Sequence, residues 1–354
     1  MTPQIRALSG TGQRKLFGHL AVLTAMLLWG STFAASKYLI EQGISPLEML
    51  IARFLIAWLL MQFVPCAKLG FTNWRDEKYF IFAGLGGVTV YFLFENTALY
   101  FTYASNVGLI TGISPLVIAA VFWLLFKEKP SKWFFFGSAL AVFGVACVAT
   151  NGAEIQMNLI GDFLAVLACL SWAGYTVAIR KIRTMERVMD DIAITRRIFF
   201  WGTLASFLLI PFSGTADFLF VGAPLQTWLQ LEVIGPILYL SVLASCLCYV
   251  AMNFAMRVIG EVAASAYIYT IPAISIVAAH VLINEIVTLL AVVGMVAITV
   301  GLLISEEFWK RSQKGALPQD SFAIMDEEKQ AETDEETQPK PKVSKAFTER
   351  NHHD

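Results

Sequence analysis

The chain has few charged residues and lacks the motifs that most hydrolases and nucleotide-driven pumps carry. Only 15% of its 354 residues are charged, against about 25% in an average soluble domain. It contains no H-E-x-x-H pair, no G-x-S-x-G elbow and no Walker loop. Its five cysteines form no C-x-x-C pair and have no histidine at metal-ligand spacing. We therefore expect no enzymatic activity, no metal site and no cofactor, and the net charge of −1 gives no reason to expect a nucleic-acid partner.

Long apolar runs fill most of the chain instead. Hydrophobic residues make up 57% of the sequence. Runs of about 20 residues, each long enough to cross roughly 30 Å of hydrocarbon, recur between short polar breaks. The sequence thus predicts an all-α polytopic membrane protein with ten transmembrane helices, although some breaks are so short that nine or eleven are alternatives. The predicted spans are 17–40, 47–66, 79–101, 105–126, 132–150, 160–180, 192–212, 232–255, 262–284 and 286–305.

Lys and Arg residues are confined to alternate loops. The N-terminal segment 1–16 and the loops on its side hold 17 of them, whereas the intervening loops hold none. Cytoplasmic loops retain Lys and Arg, and one miscounted span would move every later loop to the other side. We therefore predict a multi-pass protein of the cell (inner) membrane with both termini in the cytoplasm. The charged segment 306–354 has little to bury and predicts a disordered cytoplasmic tail.

The two halves of the chain repeat each other without gaps over long stretches. Each half, 17–150 and 160–305, contains five predicted spans, so the second half enters the bilayer from the opposite side. Inverted repeats are typical of secondary transporters, whose site lies between the repeats near the middle of the membrane. A channel or a membrane scaffold is the alternative. The matched pairs are Trp29 with Trp172, Lys37 with Arg180, Arg53 with Arg196 and Trp58 with Trp201 at an offset of 143, and Asn96 with Asn253, Pro115 with Pro272, Glu128 with Glu285, Gly137 with Gly294 and Gly144 with Gly301 at an offset of 157.

Two stretches resemble a known transporter family. They are AMLLWGSTFAASK (Ala25–Lys37) and FENTALYFTYASNVGLITGISPLVIAAVFWLLFKEKPS (Phe94–Ser131), in which Pro115 lies in mid-span and Glu128 closes the span. Both are similar to EamA-type members of the drug/metabolite transporter superfamily, and the resemblance covers about residues 17–305. It implies ten helices in two inverted five-helix repeats and the export of small metabolites, amino acids or toxic compounds.

Two ionisable residues inside predicted spans are candidates for the transport site. An ionisable side chain in a span costs about 2.5–3.5 kcal/mol on insertion scales, so it is a functional candidate by default. Glu95 is matched by Met252, so the repeat does not require it. At a rise of about 1.5 Å per residue, Glu95 and Arg53 lie at similar depths. Either they form a structural ion pair, or Glu95 binds an amine or exchanges a proton during transport.

Aromatic and amide side chains complete the candidate site. Trp29 and Trp172 lie near mid-span, where an interfacial role does not explain them. Asn96 is interpreted first as a hydrogen bonder between helices and second as a substrate contact. Pro115 and Pro272 are predicted helix kinks that border the cavity, with gating hinges as the alternative. The predicted substrate-binding residues are Trp29, Tyr91, Glu95, Asn96, Trp172, Tyr175, Tyr249 and Tyr267.

These features predict a secondary-active transporter that works by alternating access around a site formed by spans one, three, four, six, eight and nine. Small amphipathic metabolites, such as amino acids, are the expected substrates, and export across the plasma membrane is the expected direction. Import and nucleotide-sugar-like antiport are alternatives, although only Arg53 and Arg196 offer positive charge within the spans. We expect a monomer or a weak homodimer surrounded by the lipid bilayer.

Overall fold

All regular secondary structure is helical in the residues that the structure describes. A computed structural model describes residues 3–66, 73–102, 104–149, 158–185, 189–211, 222–274 and 288–313. For residues 3–12, 104–106, 149 and 306–313 the description covers the backbone only. The all-α prediction is confirmed for these ranges. The α-helices are α1 (Pro3–Trp29), α2 (Thr32–Glu41), α3 (Pro46–Met61), α4 (Trp74–Gly84), α5 (Tyr91–Phe101), α6 (Ala104–Thr111), α7 (Ser114–Phe126), α8 (Lys132–Ala149), α9 (Leu159–Arg183), α10 (Asp191–Leu208), α11 (Leu225–Trp228), α12 (Leu231–Leu238), α13 (Cys248–Ile259), α14 (Glu261–Ala266) and α15 (Leu289–Gln313).

Helix occupies most of each predicted span in the described residues, although α3 ends at Met61, before the predicted end of the second span. Shorter apolar helices cover the fifth and tenth spans, α3 and α10 cover the second and seventh, and α14 begins the ninth. The rest of the ninth span, with Glu285, lies outside the described residues, so the count of ten rests there on the sequence. Five helical segments are long and apolar enough to cross a membrane by length and composition, namely Gln13–Glu41, Trp74–Phe101, Val107–Phe126, Leu159–Arg183 and Leu231–Ile259.

The terminal helices extend beyond the predicted spans. The first helix begins at Pro3, within the segment predicted to precede the membrane, and the last continues to Gln313. The remainder of the predicted tail lies outside the described residues. The N-terminal helix also has a break at Gly30 and Ser31, which divides the first span into α1 and α2.

Polar residues in the loops fix where several helices begin. Ser45 and Glu48 form a capping box at the start of α3. Asn73, Asn158 and Asp190 accept hydrogen bonds from the first backbone N–H groups of α4, α9 and α10. These donors have no partner within their helix, so a side-chain acceptor stabilises each helix start.

Two π-helical segments lie at matching positions in the two halves. They are Leu85–Val90, between α4 and α5, and Tyr239–Leu247, between α12 and α13. When the repeat offset of 157 is added to the residue numbers of the first segment, the result falls within the second segment. π-helical turns are rare and are often found at functional sites, and here each one leads directly into a helix that carries candidate site residues.

The two matched prolines each follow an interruption of the helix. Pro115 lies in the first turn of α7, after turn residues Gly112 and Ile113. Pro272 follows a 3₁₀ turn, Tyr267–Thr270. Pro115 therefore lies at the start of a helical segment, directly after an interruption of the span, and its role as a fixed kink or a hinge stays a prediction. A proline is tolerated in the first turn because its missing N–H would have had no partner there.

Contacts between helices also repeat between the halves. The α1 helix packs along α13, while α9, the equivalent of α1, packs along α5, the equivalent of α13. Likewise α3 packs against the second π-helical segment, and its equivalent α10 packs against the first. Exchanging the halves converts each contact into the other, as expected for inverted repeats related by a pseudo-twofold axis.

Glycines bring the last helices of the two halves together. A Cβ atom added at Gly137 would lie 2.6 Å from the carbonyl oxygen of Gly301, and one at Gly144 would lie 2.5 Å from that of Gly294. Because Gly137 matches Gly294 and Gly144 matches Gly301, the repeat symmetry exchanges these two contacts. The four glycines therefore serve packing between the halves, since only glycine lets α8 and α15 approach so closely.

Candidate functional site

A cavity with an open mouth lies where the two halves meet. The space there that protein atoms leave unfilled is about 470 Å³, and this volume includes the open solvent at the mouth. Its walls come from the six spans predicted to form the site and, in addition, from α3. The lining residues are Trp29, Thr32, Phe33, Arg53, Tyr91, Phe92, Glu95, Thr111, Ser114, Trp172, Tyr249, Ile268 and Ile271.

Aromatic rings form much of the cavity wall. Trp29 and Trp172 meet edge to face with ring centroids 5.6 Å apart. Tyr91 lies 5.4 Å from Trp172, and Tyr249 lies 5.9 Å from Trp29, again between ring centroids. Such tilted and edge-to-face pairs are favourable for aromatic rings. The wall therefore offers an apolar surface with ring edges and faces pointing in several directions.

Arg53 is held at the cavity by contacts with both halves of the chain. Its side chain is 1% exposed, and its Nε donates a 2.7 Å hydrogen bond to the Ser245 hydroxyl in the second π-helical segment. The guanidinium carbon lies 4.3 Å from the ring centroid of Phe92 on α5, within range of a cation–π interaction. These contacts fix the guanidinium group, and no carboxylate among the described residues lies within 4.0 Å of its nitrogens.

Glu95 faces the same cavity but does not form the predicted ion pair. It is 3% exposed, and its polar neighbours are Tyr91 and Arg53. Within the described residues, no Arg53 nitrogen comes within 4.0 Å of a Glu95 carboxylate oxygen. In this conformation the two side chains make no direct contact, because Arg53 is turned towards Ser245 and Phe92; the structural pair stays a prediction beside the functional role. Two opposite charges remain separated across one buried space.

The other predicted substrate contacts lie away from the cavity wall. The Asn96 Nδ2 donates a 3.4 Å bond to the carbonyl oxygen of Pro46, which fits its first interpretation as a link between helices. The Tyr175 hydroxyl donates to Asn253 Oδ1 at 2.7 Å, and the Tyr267 hydroxyl lies 2.7 Å from Nδ1 of His19 on α1. Substrate contact by Asn96, Tyr175 and Tyr267 remains a prediction.

Several lining residues were not expected from the sequence. Thr111 and Ser114 border the cavity on either side of the break that precedes Pro115. Their hydroxyls bond to carbonyl oxygens within the same broken turn, at 2.7 Å and 2.6 Å. The signal was available, since a proline in mid-span frees backbone groups that polar side chains then satisfy. Among the described residues, no cluster of three His, Cys, Asp or Glu side chains is placed to hold a metal ion.

Comparison with known proteins supports the resemblance. The sequence profile of the EamA-like transporter family matches residues 16–150 and 159–305. An uncharacterized transporter of Archaeoglobus fulgidus is 28% identical over 275 residues, which cover 75% of this chain and 89% of the relative. The uncharacterized transporter YvbV of Bacillus subtilis is 26% identical over 301 residues, which cover 84% of this chain and 94% of the relative.

A solved crystal structure shares the fold. It superposes with a TM-score of 0.62 at 18% sequence identity, covering 85% of this chain and 98% of that chain. The match of the family profile to both halves agrees with the repeat seen in the helix packing. The chain therefore belongs to the EamA-like transporter family of the drug/metabolite transporter superfamily, and it is a multi-pass membrane transporter.

Proposed function

We propose that this protein is a secondary carrier that exports small amphipathic metabolites carrying both a positive and a negative group, such as amino acids. The observation that carries the proposal is the placement of Arg53 and Glu95 on one buried cavity, more than 4.0 Å apart. Separated charges in a poorly solvated space favour a ligand that supplies a carboxylate to one and an ammonium to the other.

The cavity wall supports the amphipathic part of the proposal. Trp29, Tyr91, Trp172 and Tyr249 offer ring surface to an apolar side chain, and Thr111 and Ser114 add hydroxyl groups. Pockets for small molecules are generally apolar with a few placed polar groups. A nucleotide sugar would ask for several cations, and Arg53 is the lining residue with a positive charge.

The inverted repeats support alternating access as the mechanism. Carriers of this architecture hold the substrate between the repeats and expose it to one side of the membrane at a time. In our proposal the transporter is a monomer or weak homodimer of the cell membrane with both termini in the cytoplasm. Glu95 either binds the ammonium group directly or exchanges a proton with the substrate during the cycle.

Reconstitution into liposomes tests the proposed function. The panel consists of labelled aliphatic and aromatic amino acids, their decarboxylated amines and their deaminated acids, each with and without a pH gradient. We expect saturable flux with counterflow, and faster transport of amino acids than of compounds that lack either charge. Flux that does not saturate would indicate a channel. A preference for nucleotide sugars would support the antiport alternative and contradict the assignment of the cavity.

A further inference from the structure

A cluster of alternating charges closes the end of the molecule that is predicted to face the cytoplasm. Three basic and three acidic residues meet there. The basic ones lie near the C-terminal ends of α9 and α13, and the acidic ones lie at the first residues of α10 and α14 and in the loop after α7. The six residues, here called the inner charge cluster, are Glu128, Arg180, Arg183, Asp191, Arg257 and Glu261.

Arg180 joins the loop after α7 to the start of α14. Its Nη2 lies 2.6 Å from Glu128, two residues beyond the end of α7, and its Nη1 lies 3.0 Å from Glu261, the first residue of α14. Both carboxylates are buried to more than nine-tenths. The desolvation cost of a buried ion pair offsets much of its attraction, but losing one partner leaves an uncompensated buried charge, which is strongly destabilising.

Arg183 joins the inner charge cluster to α13, which also contributes to the cavity wall. Its guanidinium nitrogens lie 3.6 Å from Asp191 and 3.8 Å from Glu261, and Nη2 also donates to the backbone carbonyl oxygen of Asn253 on α13. Arg257, one turn further along α13, pairs with Asp191 at 3.0 Å. The cluster therefore ties α9, α10, α13 and α14 together at this end.

Asn253 connects the inner charge cluster to the cavity wall. Its Nδ2 donates to Thr195 on α10 at 2.9 Å, and its Oδ1 accepts the hydroxyl of Tyr175 at 2.7 Å. Tyr175 in turn stacks on Trp172, with ring centroids 4.7 Å apart. Since Trp172 lines the cavity, an unbroken series of contacts runs from the transport site to the charged end.

The matching position in the first half is in a different state. Asn96, the repeat equivalent of Asn253, makes one long bond to Pro46, and its Oδ1 has no partner among the described residues although it is buried. Thr32, the equivalent of Tyr175, bonds to the carbonyl oxygen of Trp29. The amide of Asn253 thus uses both its nitrogen and its oxygen in hydrogen bonds, whereas that of Asn96 uses only its nitrogen.

We propose that the inner charge cluster is the gate on one side of the carrier and that Asn253 is the positioning residue that couples it to the substrate cavity. This inference rests on the proposed alternating-access function. In the conformation described here the gate is closed. A shift of Trp172 and Tyr175 around the substrate withdraws the Tyr175 bond from Asn253, which frees Arg183 and loosens the ion pairs. A static clamp is the opposing interpretation, in which the cluster never opens.

Thiol accessibility tests the gate without requiring transport or a known substrate. A cysteine replaces Thr111 on the cavity wall, in a chain whose native cysteines are replaced by serine. Inside-out vesicles then receive a membrane-impermeant maleimide on the cytoplasmic side. We expect slow labelling in this parent and labelling about tenfold faster or more after Glu261→Gln, which corresponds to a coupling free energy of ordinary size. Tyr175→Phe should produce a smaller increase, because it removes the hydroxyl and keeps the stacking.

Glu77→Gln is the matched control. Glu77 is also buried and pairs with Arg197 at 2.7 Å. It joins α4 to α10, also bonds to Trp201, and within the described part of the chain has no link to Asn253 through Arg183. We expect it to leave the labelling rate within about twofold of the parent, below the smallest usual coupling. Glu128→Gln provides a second gate variant in case Glu261→Gln fails to give a monodisperse protein.

The two proposals fail in different ways. If the well-folded gate variants and Tyr175→Phe label at the parent rate, the cluster is a static clamp and the gate is refuted, even where saturable transport is seen. If Glu77→Gln accelerates labelling as much as they do, the effect is general loosening and the gate is again refuted. If labelling responds as expected but no compound is carried, the gate stands and the proposed function fails.

Discussion

Trp29 and Trp172 occupy equivalent places in the two halves of the chain and meet edge to face at the cavity, with ring centroids 5.6 Å apart. Their indole nitrogens are used differently. The Nε1 of Trp29 donates a 2.8 Å hydrogen bond to the carbonyl oxygen of Ala244, in the second π-helical segment. The Nε1 of Trp172 is buried and has no partner within the described residues. The repeat thus supplies two similar rings, and only one of them is anchored.

This difference predicts unequal effects of two matched substitutions on stability. Trp29→Phe removes a hydrogen bond between helices as well as ring contacts, so we expect it to cost about 1 kcal/mol more than the loss of ring contacts alone. Trp172→Phe removes a buried donor that has no acceptor, so its cost should be limited to lost ring contacts. Thermal unfolding of the purified variants in one detergent measures both.

The same pair tests whether the Trp172 donor serves the substrate. If the free N–H binds a substrate carboxylate after a rearrangement, Trp172→Phe should weaken transport more than Trp29→Phe while destabilising the protein less. Equal losses of transport that follow the losses of stability would assign both rings to packing.

Glu95→Gln is expected to lower transport while leaving expression intact. The substitution keeps the shape of the side chain and removes the negative charge that faces Arg53 and Tyr91 across the cavity. Initial rates in liposomes, with and without a pH gradient, measure the effect. If Glu95 exchanges a proton, the variant also loses the response to the gradient. Glu41→Gln, at an exposed carboxylate, is the control, and full activity of Glu95→Gln with unchanged pH dependence would make Glu95 structural.

Arg53→Lys is expected to impair transport although the positive charge is kept. Lysine has no Nε–H at the place that bonds to Ser245, and its ammonium lacks the flat face that lies over Phe92. Ser245→Ala isolates the first of these losses, since it leaves a buried Arg53 donor without its acceptor at a cost of about 1–3 kcal/mol. Substrate affinity should fall in the order wild type, Ser245→Ala, Arg53→Lys. A lysine variant with wild-type affinity would remove Arg53 from the binding site.

The helical fold, the repeat and the position of the cavity could be predicted because each depends on residue spacing. A run of about 20 apolar residues has few alternatives to a membrane helix. Matched residues such as Trp29 and Trp172 identify the repeat, and the repeat places the site between its halves. Whether Arg53 and Glu95 touch could not be derived, because depth along a helix does not determine the direction in which a long side chain points; the structural pair and the functional role of Glu95 both stay predictions.

The sequence could not show which tyrosines face the cavity and which bond to other side chains. Tyr249 lines the cavity, whereas Tyr267 bonds to His19, although both lie within predicted spans. The difference depends on how each helix is rotated about its axis, which packing determines. Thr111 and Ser114 were missed for a related reason. The break before Pro115 was interpreted as a kink within a continuous helix, and the break is what places both residues at the cavity.

Gly144→Ala is expected to destabilise the protein by opening the contact between α8 and α15. The added Cβ would lie 2.5 Å from the backbone oxygen of Gly294 and 2.7 Å from the backbone nitrogen of Ile298. Backbone atoms cannot rotate away as side chains can, so the helices must separate and lose van der Waals contacts along the whole crossing. An overpacked contact of this kind costs about 1–3 kcal/mol.

Gly174→Ala provides the comparison, because the same methyl group is added where nothing lies within 4 Å. Gly174 lies inside α9, so alanine there should leave stability unchanged or raise it by about 0.5–1 kcal/mol through its higher helix propensity. Gly301→Ala, on the partner helix, should resemble Gly144→Ala, because its Cβ would lie 2.5 Å from the backbone oxygen of Gly137. Thermal unfolding in detergent ranks the three variants. If Gly144→Ala and Gly301→Ala unfold at the same temperature as Gly174→Ala, the two helices are not packed through these glycines, and the symmetric crossing that relates the two halves is wrong.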